Sequence, residues 1–129
     1  GTLLNSANTV DSFNATNTGS GNIELTNTAA PLSITGISQA GGGDVIISNT
    51  GAITVGGATV TAGDLTLTAS STIGQSGAIA ADLLTTSSAG GTLLNSANTG
   101  GAFRSTPTYT SNTAHDTAAA NLGLHGITK

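Results

Sequence analysis

The residues of this chain that could do acid–base or metal chemistry are two histidines and an aspartate near its C-terminal end. His115-Asp116 and His125 offer two imidazoles and a carboxylate, groups that ligate zinc or act beside a serine in nucleophilic catalysis. The spacing of the histidines fits neither one helix face nor a zinc pattern, and serine and threonine are frequent enough to lie near a histidine by chance. We therefore interpret them as solvated turn residues, and expect no enzyme activity and no metal site.

The acidic residues are spread along the chain rather than gathered into a site. Gly41-Gly42-Gly43-Asp44 is similar to calcium-binding repeats, but it occurs once and lacks a regular aspartate in every turn, so it predicts a tight corner. We expect no cofactor. The carboxylates are Asp11, Glu24, Asp44, Asp64, Asp82 and Asp116.

Charge and composition exclude several classes of partner. The formal net charge is −4 and the cations are Arg104 and Lys129, so we expect no binding to nucleic acid. The sequence contains no apolar run of the length that a transmembrane helix needs, which predicts no membrane insertion. There is no cysteine, and so no disulfide framework.

The elements that would position any site belong to a repeating chain. The nonapeptide that begins at Gly1 recurs letter for letter from Gly91, an offset of 90 residues, and weaker matches continue beyond it. Repetition at a fixed period is typical of arrays in which each unit buries its apolar face against the next. Since the chain begins on a repeat boundary without a methionine or a signal segment, we interpret it as a piece or processed product of a longer protein.

A shorter repeat predicts the fold. Segments beginning at Gly21, Gly43 and Gly63 each read as a turn, an alternating strand and a Ser/Thr/Asn stretch, with steps of 22 and 20 residues. Two or three short strands in each turn of about 20 residues predict an all-β chain, a right-handed parallel β-helix (β-solenoid). Alternation places the apolar residues of each strand on one face, so we expect two neighbouring core ladders. Their members are Ile23, Val45 and Leu65, and Leu25, Ile47 and Leu67.

These stretches resemble the repeat regions of filamentous-haemagglutinin-type exoproteins. The resemblance is carried by residues 18–23, by Gly43-Asp44-Val45-Ile46-Ile47-Ser48-Asn49-Thr50-Gly51-Ala52-Ile53 and by residues 63–69. It covers residues 1–103, and the remainder only through the 90-residue offset. It implies two-partner secretion of a long right-handed β-helix to a bacterial cell surface, and a role in adhesion, in surface filaments or in presenting a distal toxin.

The C-terminal copy differs from the N-terminal one where the core is expected. We predict regular coils over residues 1–103 and one or more diverged terminal coils over residues 104–129. By the 90-residue offset, Thr113 and His115 replace Ile23 and Leu25. We therefore expect the chain to leave the regular ladder from Thr106 to Asp116 and to form a terminal cap or a junction with a neighbouring subunit. The residues predicted for that role are Pro107, Tyr109, Thr113 and His115.

Three classes of function remain open on the sequence. The first is a non-enzymatic structural repeat segment of a secreted bacterial surface adhesin or filament. The second is a subunit of an extracellular fibre that polymerises end to end, so the expected partners are other copies of the chain or the rest of a longer repeat protein.

The third class is an ice-binding or other ligand-binding β-helix. Thr26-x-Thr28, Ser48-x-Thr50 and Thr68-x-Ser70 fall in register and could order water. The drift toward serine and the change of coil length from 22 to 20 residues favour instead a ladder of stacked hydrogen bonds.

Overall fold

The computed structural model describes residues 1–108 and, for the backbone alone, residues 113–117 and 123–124. These residues form strands, turns and irregular segments, and no helix capable of crossing a membrane occurs among them. The strands are β1 (Thr2–Asn8), β2 (Ser12–Asn17), β3 (Ile23–Thr28), β4 (Leu32–Gln39), β5 (Val45–Thr50), β6 (Ile53–Val55), β7 (Thr59–Thr61), β8 (Leu65–Ala69), β9 (Ile73–Gln75), β10 (Ile79–Ser88), β11 (Thr92–Pro107), β12 (Thr113–Thr117) and β13 (Gly123–Leu124).

The strands pair in parallel with the strands of the next coil, and the sheet winds into a β-solenoid. Strand β3 lies between β1 and β5, β5 pairs with β8, and β8 pairs with the second half of β10. On the other sides of the coil, β4 pairs with β2, β6 and β7. The solenoid has about five turns with coils of about 20 residues. The prediction of an all-β parallel solenoid is confirmed.

Alternating side chains fill the interior because successive residues of a strand point to opposite faces of the sheet. Ile23, Val45 and Leu65 are paired in register and fully buried. Leu25, Ile47 and Leu67 form the neighbouring buried column.

Both columns continue into later coils, but their chemistry changes. The first continues with Leu84 and Phe103, which keep it apolar. The second continues with Thr86 and Ser105, which are buried and whose hydroxyls lie 3.2 Å apart in a hydrogen bond. The core is therefore apolar in the middle coils and partly hydroxylic toward β11.

The change of coil length is absorbed at one corner. Gln39 pairs with Thr61 and Val45 pairs with Leu65, but five residues separate the first two along the chain where three separate their partners. The corner between β4 and β5 is made of glycines. Gly42 has φ of +81°, a conformation that L side chains rarely adopt, and it extends into open space. The extra residues therefore leave the sheet on either side in register.

The 90-residue repeat is not a whole number of coils. Four coils carry the chain from Thr2, through its successive partners, to Leu84. Thr92 lies farther along the fifth coil, and pairs with Ile73 on a different side of the solenoid. Each copy of the nonapeptide nevertheless keeps its own local pairing, because Thr2 pairs with Ile23 and Thr92 pairs with Thr113.

Candidate functional site

The outer surface of β3, β5, β8, β10 and β11 carries two columns of hydroxyl groups, which we call the hydroxyl face. In the first column the side chains pair directly from coil to coil. They are Thr26, Ser48, Thr68, Ser87 and Thr106. The second column lies two residues farther along each coil and is interrupted by one alanine. Its members are Thr28, Thr50, Ser70, Ala89 and Thr108.

A groove of about 350 Å³ lies along the hydroxyl face, with seven of its nine lining residues on the two columns. No charged side chain and no aromatic side chain lines it. Threonine and serine hydroxyls both donate and accept hydrogen bonds, so the groove presents neutral groups of the same hydrogen-bonding type as water.

Buried amides hold the backbone beneath the hydroxyl face. Asn27 and Asn49 point inward between the two columns, and the Asn27 Nδ2 donates to Asn49 Oδ1 at 3.0 Å. The Asn49 Nδ2 also donates to the carbonyls of Ala29 and Ala52, each at 2.9 Å. Because these carbonyls lie in the turn that follows the strands, the amide ladder fixes where each hydroxyl-bearing segment ends.

A second polar ladder supports the opposite end of the coil. The Asn17 Nδ2 donates to Gln39 Oε1 at 3.1 Å, and the Gln39 Nε2 donates to the carbonyl of Gly21. In the next coil the Thr61 hydroxyl replaces the amide, donating to the Gly43 carbonyl at 2.8 Å and accepting from the Gly63 N–H at 3.0 Å. These side chains satisfy backbone groups at corners where strand pairing stops.

Two of the carboxylates that could have served chemistry lie at a corner, and one of them bonds to the backbone of the next coil. Asn22 Oδ1 accepts from the Asp44 N–H at 3.0 Å, and Asp44 Oδ1 accepts from the Asp64 N–H at 2.9 Å. Over the described residues, no group of three or more His, Cys, Asp or Glu side chains is placed to hold a metal ion.

The residues predicted to cap or join the solenoid are only partly described. Pro107 is buried and pairs with Ser88, and Thr113 and His115 pair with Thr92 and Leu94. The expectation that the chain leaves the ladder at Thr106 is therefore wrong for residues 106–107 and 113–115, because their backbone continues the parallel pairing. Tyr109, Asp116 as a side chain, and His125 lie outside the described residues. The capping or joining role stays a prediction.

Sequence reasoning missed the buried amides and the full length of the hydroxyl columns. Asn27 and Asn49 lie 22 residues apart at matching places in the short repeat, a signal that could have predicted an interior amide ladder. Ser87 and Thr106 were missed because the short repeat is no longer legible there, although their pairing continues the column.

Comparison of the chain with protein-family models, with curated proteins and with solved structures gives no match.

Proposed function

We propose that this chain is a non-enzymatic structural repeat segment of a secreted bacterial surface adhesin or filament. The observation that carries the proposal is the unbroken register of β3, β5 and β8, in which every coil presents the next with a complete edge of backbone donors and acceptors. Such a fold extends a chain along one axis without needing a large core, because each coil contacts only its neighbours.

The use made of polar residues supports the same function. Asn22 and Asp44 direct their side-chain oxygens to backbone N–H groups of the following coil, and Gln39 and Asn49 bind turn carbonyls. Groups that would be reserved for a substrate in an enzyme are employed here in holding coils together. The resemblance to filamentous-haemagglutinin-type repeats supports secretion and the cell surface as the location.

The proposal is tested by locating the protein on the bacterium that makes it. Antibodies raised against the purified chain are applied to intact cells and followed by immunogold electron microscopy, with a cytoplasmic enzyme as the control antigen. We expect label on the surface of intact cells or on filaments leaving it. Label that appears only after the cells are permeabilised would overturn the proposal.

The fibre subunit is a second candidate, and one observation favours it. Among the described pairings, β1 pairs with β3 alone, which leaves its other edge without a partner strand. Unpaired strand edges template the addition of another strand. Sedimentation velocity at rising concentration distinguishes the two: growing polymers support the fibre, and a constant monomer supports the stalk.

A further inference from the structure

We propose that the hydroxyl face is an ice-binding surface. Nine of its ten positions carry a hydroxyl, and the first column runs through five consecutive coils without a break. Adjacent parallel strands lie about 4.8 Å apart, and residues two apart along a strand are separated by about 6.6 Å. The face therefore presents a two-dimensional lattice of hydroxyls with fixed spacings in both directions. The inference is independent of the stalk or fibre role.

The array is a property of this face and does not follow from the abundance of Ser and Thr in the chain. On another side of the solenoid, Ser38 pairs with Val60 and Val60 pairs with Ala80. On the third side, Thr54 pairs with Gly74, and Gly74 with Leu93. Both of these outer columns lose their hydroxyls within a few coils, so the sequence keeps a continuous array on one side only.

The lattice is also rigid enough for a crystalline partner. Strands β3, β5 and β8 pair without a register shift, because the two additional residues of the longer coil lie at the Gly41–Gly43 corner. The change of coil length therefore does not disturb the spacing of the hydroxyls. Beneath the face, the Asn27–Asn49 amide ladder holds the backbone, and threonine is restricted at χ1 by its branched Cβ.

The chemistry of the face favours ice over other extended partners. The groove has no charged side chain to bind an ionic polymer and no aromatic ring on which a sugar could stack. Glu24 and Arg104 lie on the adjacent column, in different coils, and leave the two hydroxyl columns neutral. Ordered water bridging regularly spaced hydroxyls can continue into the ice lattice, since each hydroxyl both donates and accepts.

The test measures the growth of single ice crystals in solutions of the full chain. We expect thermal hysteresis and faceted crystals. Thr68→Tyr places a bulky ring at the centre of the hydroxyl face and should abolish both effects, whereas Ser38→Tyr, at an exposed position on another side, should retain them. Circular dichroism of each variant establishes that the solenoid is intact.

The outcomes that overturn the proposal are distinct. Crystals that grow as in buffer with the parent chain would show that the face does not bind ice. Equal loss in the folded Ser38→Tyr and Thr68→Tyr variants would place any activity elsewhere. Retention of the parent chain on crystalline cellulose or chitin, without an effect on ice growth, would assign the face to a polysaccharide. Surface label on cells tests the adhesin proposal separately, so the two can fail independently.

Discussion

Leu4 and Leu94 occupy the same place in two identical nonapeptides, yet Leu94 is fully buried and Leu4 is 40% exposed. Leu94 lies in β11, which has paired strands on both sides, while Leu4 lies in β1, which pairs with β3 alone. Both residues have the same pairing to the coil that follows, Leu4 with Leu25 and Leu94 with His115. The coil stacked on the preceding side, and not the local sequence, therefore decides how deeply this leucine is buried.

This pair gives a matched test of coil stacking. Leu94→Ala removes a fully enclosed side chain, and we expect it to lower the free energy of unfolding by about 2–5 kcal/mol. Leu4→Ala changes the same residue in the same sequence at a partly exposed site, and should cost clearly less. Urea unfolding followed by circular dichroism measures both. Equal losses would contradict the placement of Leu94 inside the stack.

Thr59 and Thr61 provide a second matched pair within β7. Both are buried, but the Thr59 hydroxyl has no hydrogen-bond partner, whereas the Thr61 hydroxyl bonds to Gly43 and Gly63. Thr59 stacks between Ile37 and Ile79. Thr59→Val replaces an unsatisfied hydroxyl with a methyl group of similar shape, and we expect it to stabilise the chain by about 1 kcal/mol.

Thr61→Val should have the opposite sign, because it leaves a carbonyl and an N–H at the corner without their partner. We expect a loss of about 1–3 kcal/mol. The difference in midpoint between the two variants in the same urea titration checks the assignment. A stabilised Thr61→Val would show that its corner bonds contribute nothing.

The sequence predicted the solenoid because alternation is legible wherever apolar and polar residues take turns, as in β3 and β8. It predicted less where inward positions are polar. Asn49, Gln39 and Thr86 are buried although their types are usually exposed. Their burial depends on partners one coil away, about 20 residues distant along the chain, and no local pattern records those contacts.

The phase of the long repeat also could not be read from the letters. An offset of 90 residues establishes that two segments share an ancestor or a constraint, but the number of residues in each coil varies at corners such as Gly41–Gly43. The side of the solenoid that each copy occupies depends on the sum of those coil lengths. Register in the middle strands follows from the hydrophobic pattern, while accumulated phase follows from the turns.

The amide ladder beneath the hydroxyl face gives a third prediction. Asn49→Ala removes three hydrogen bonds from a buried position and leaves the Ala29 and Ala52 carbonyls and the Asn27 amide short of a partner. We expect destabilisation of about 2–3 kcal/mol. Asn95→Ala, at an exposed position of β11, is the control and should change stability by less than about 0.5 kcal/mol. Similar values for both variants would argue against the ladder.

The last prediction tests the inside and outside of one strand with two consecutive residues. Ile47 is fully buried between Leu25 and Leu67, while Ile46 is exposed on the outer surface. Ile47→Asp would put a carboxylate among apolar side chains without a hydrogen-bonding partner, and we expect it to cost several kcal/mol, about 4 or more, enough to unfold the neighbouring coils.

Ile46→Asp is the matched control, with the same change of residue one position away. It meets Glu24 on the adjacent strand, and the repulsion between exposed like charges should cost about 0.2–1 kcal/mol. The far-ultraviolet circular dichroism spectrum and the urea midpoint should therefore stay near those of the parent chain. Because a shift of register by one residue would exchange the two faces, a tolerated Ile47→Asp together with a disruptive Ile46→Asp would show that β5 faces the opposite way and would overturn the arrangement of the core.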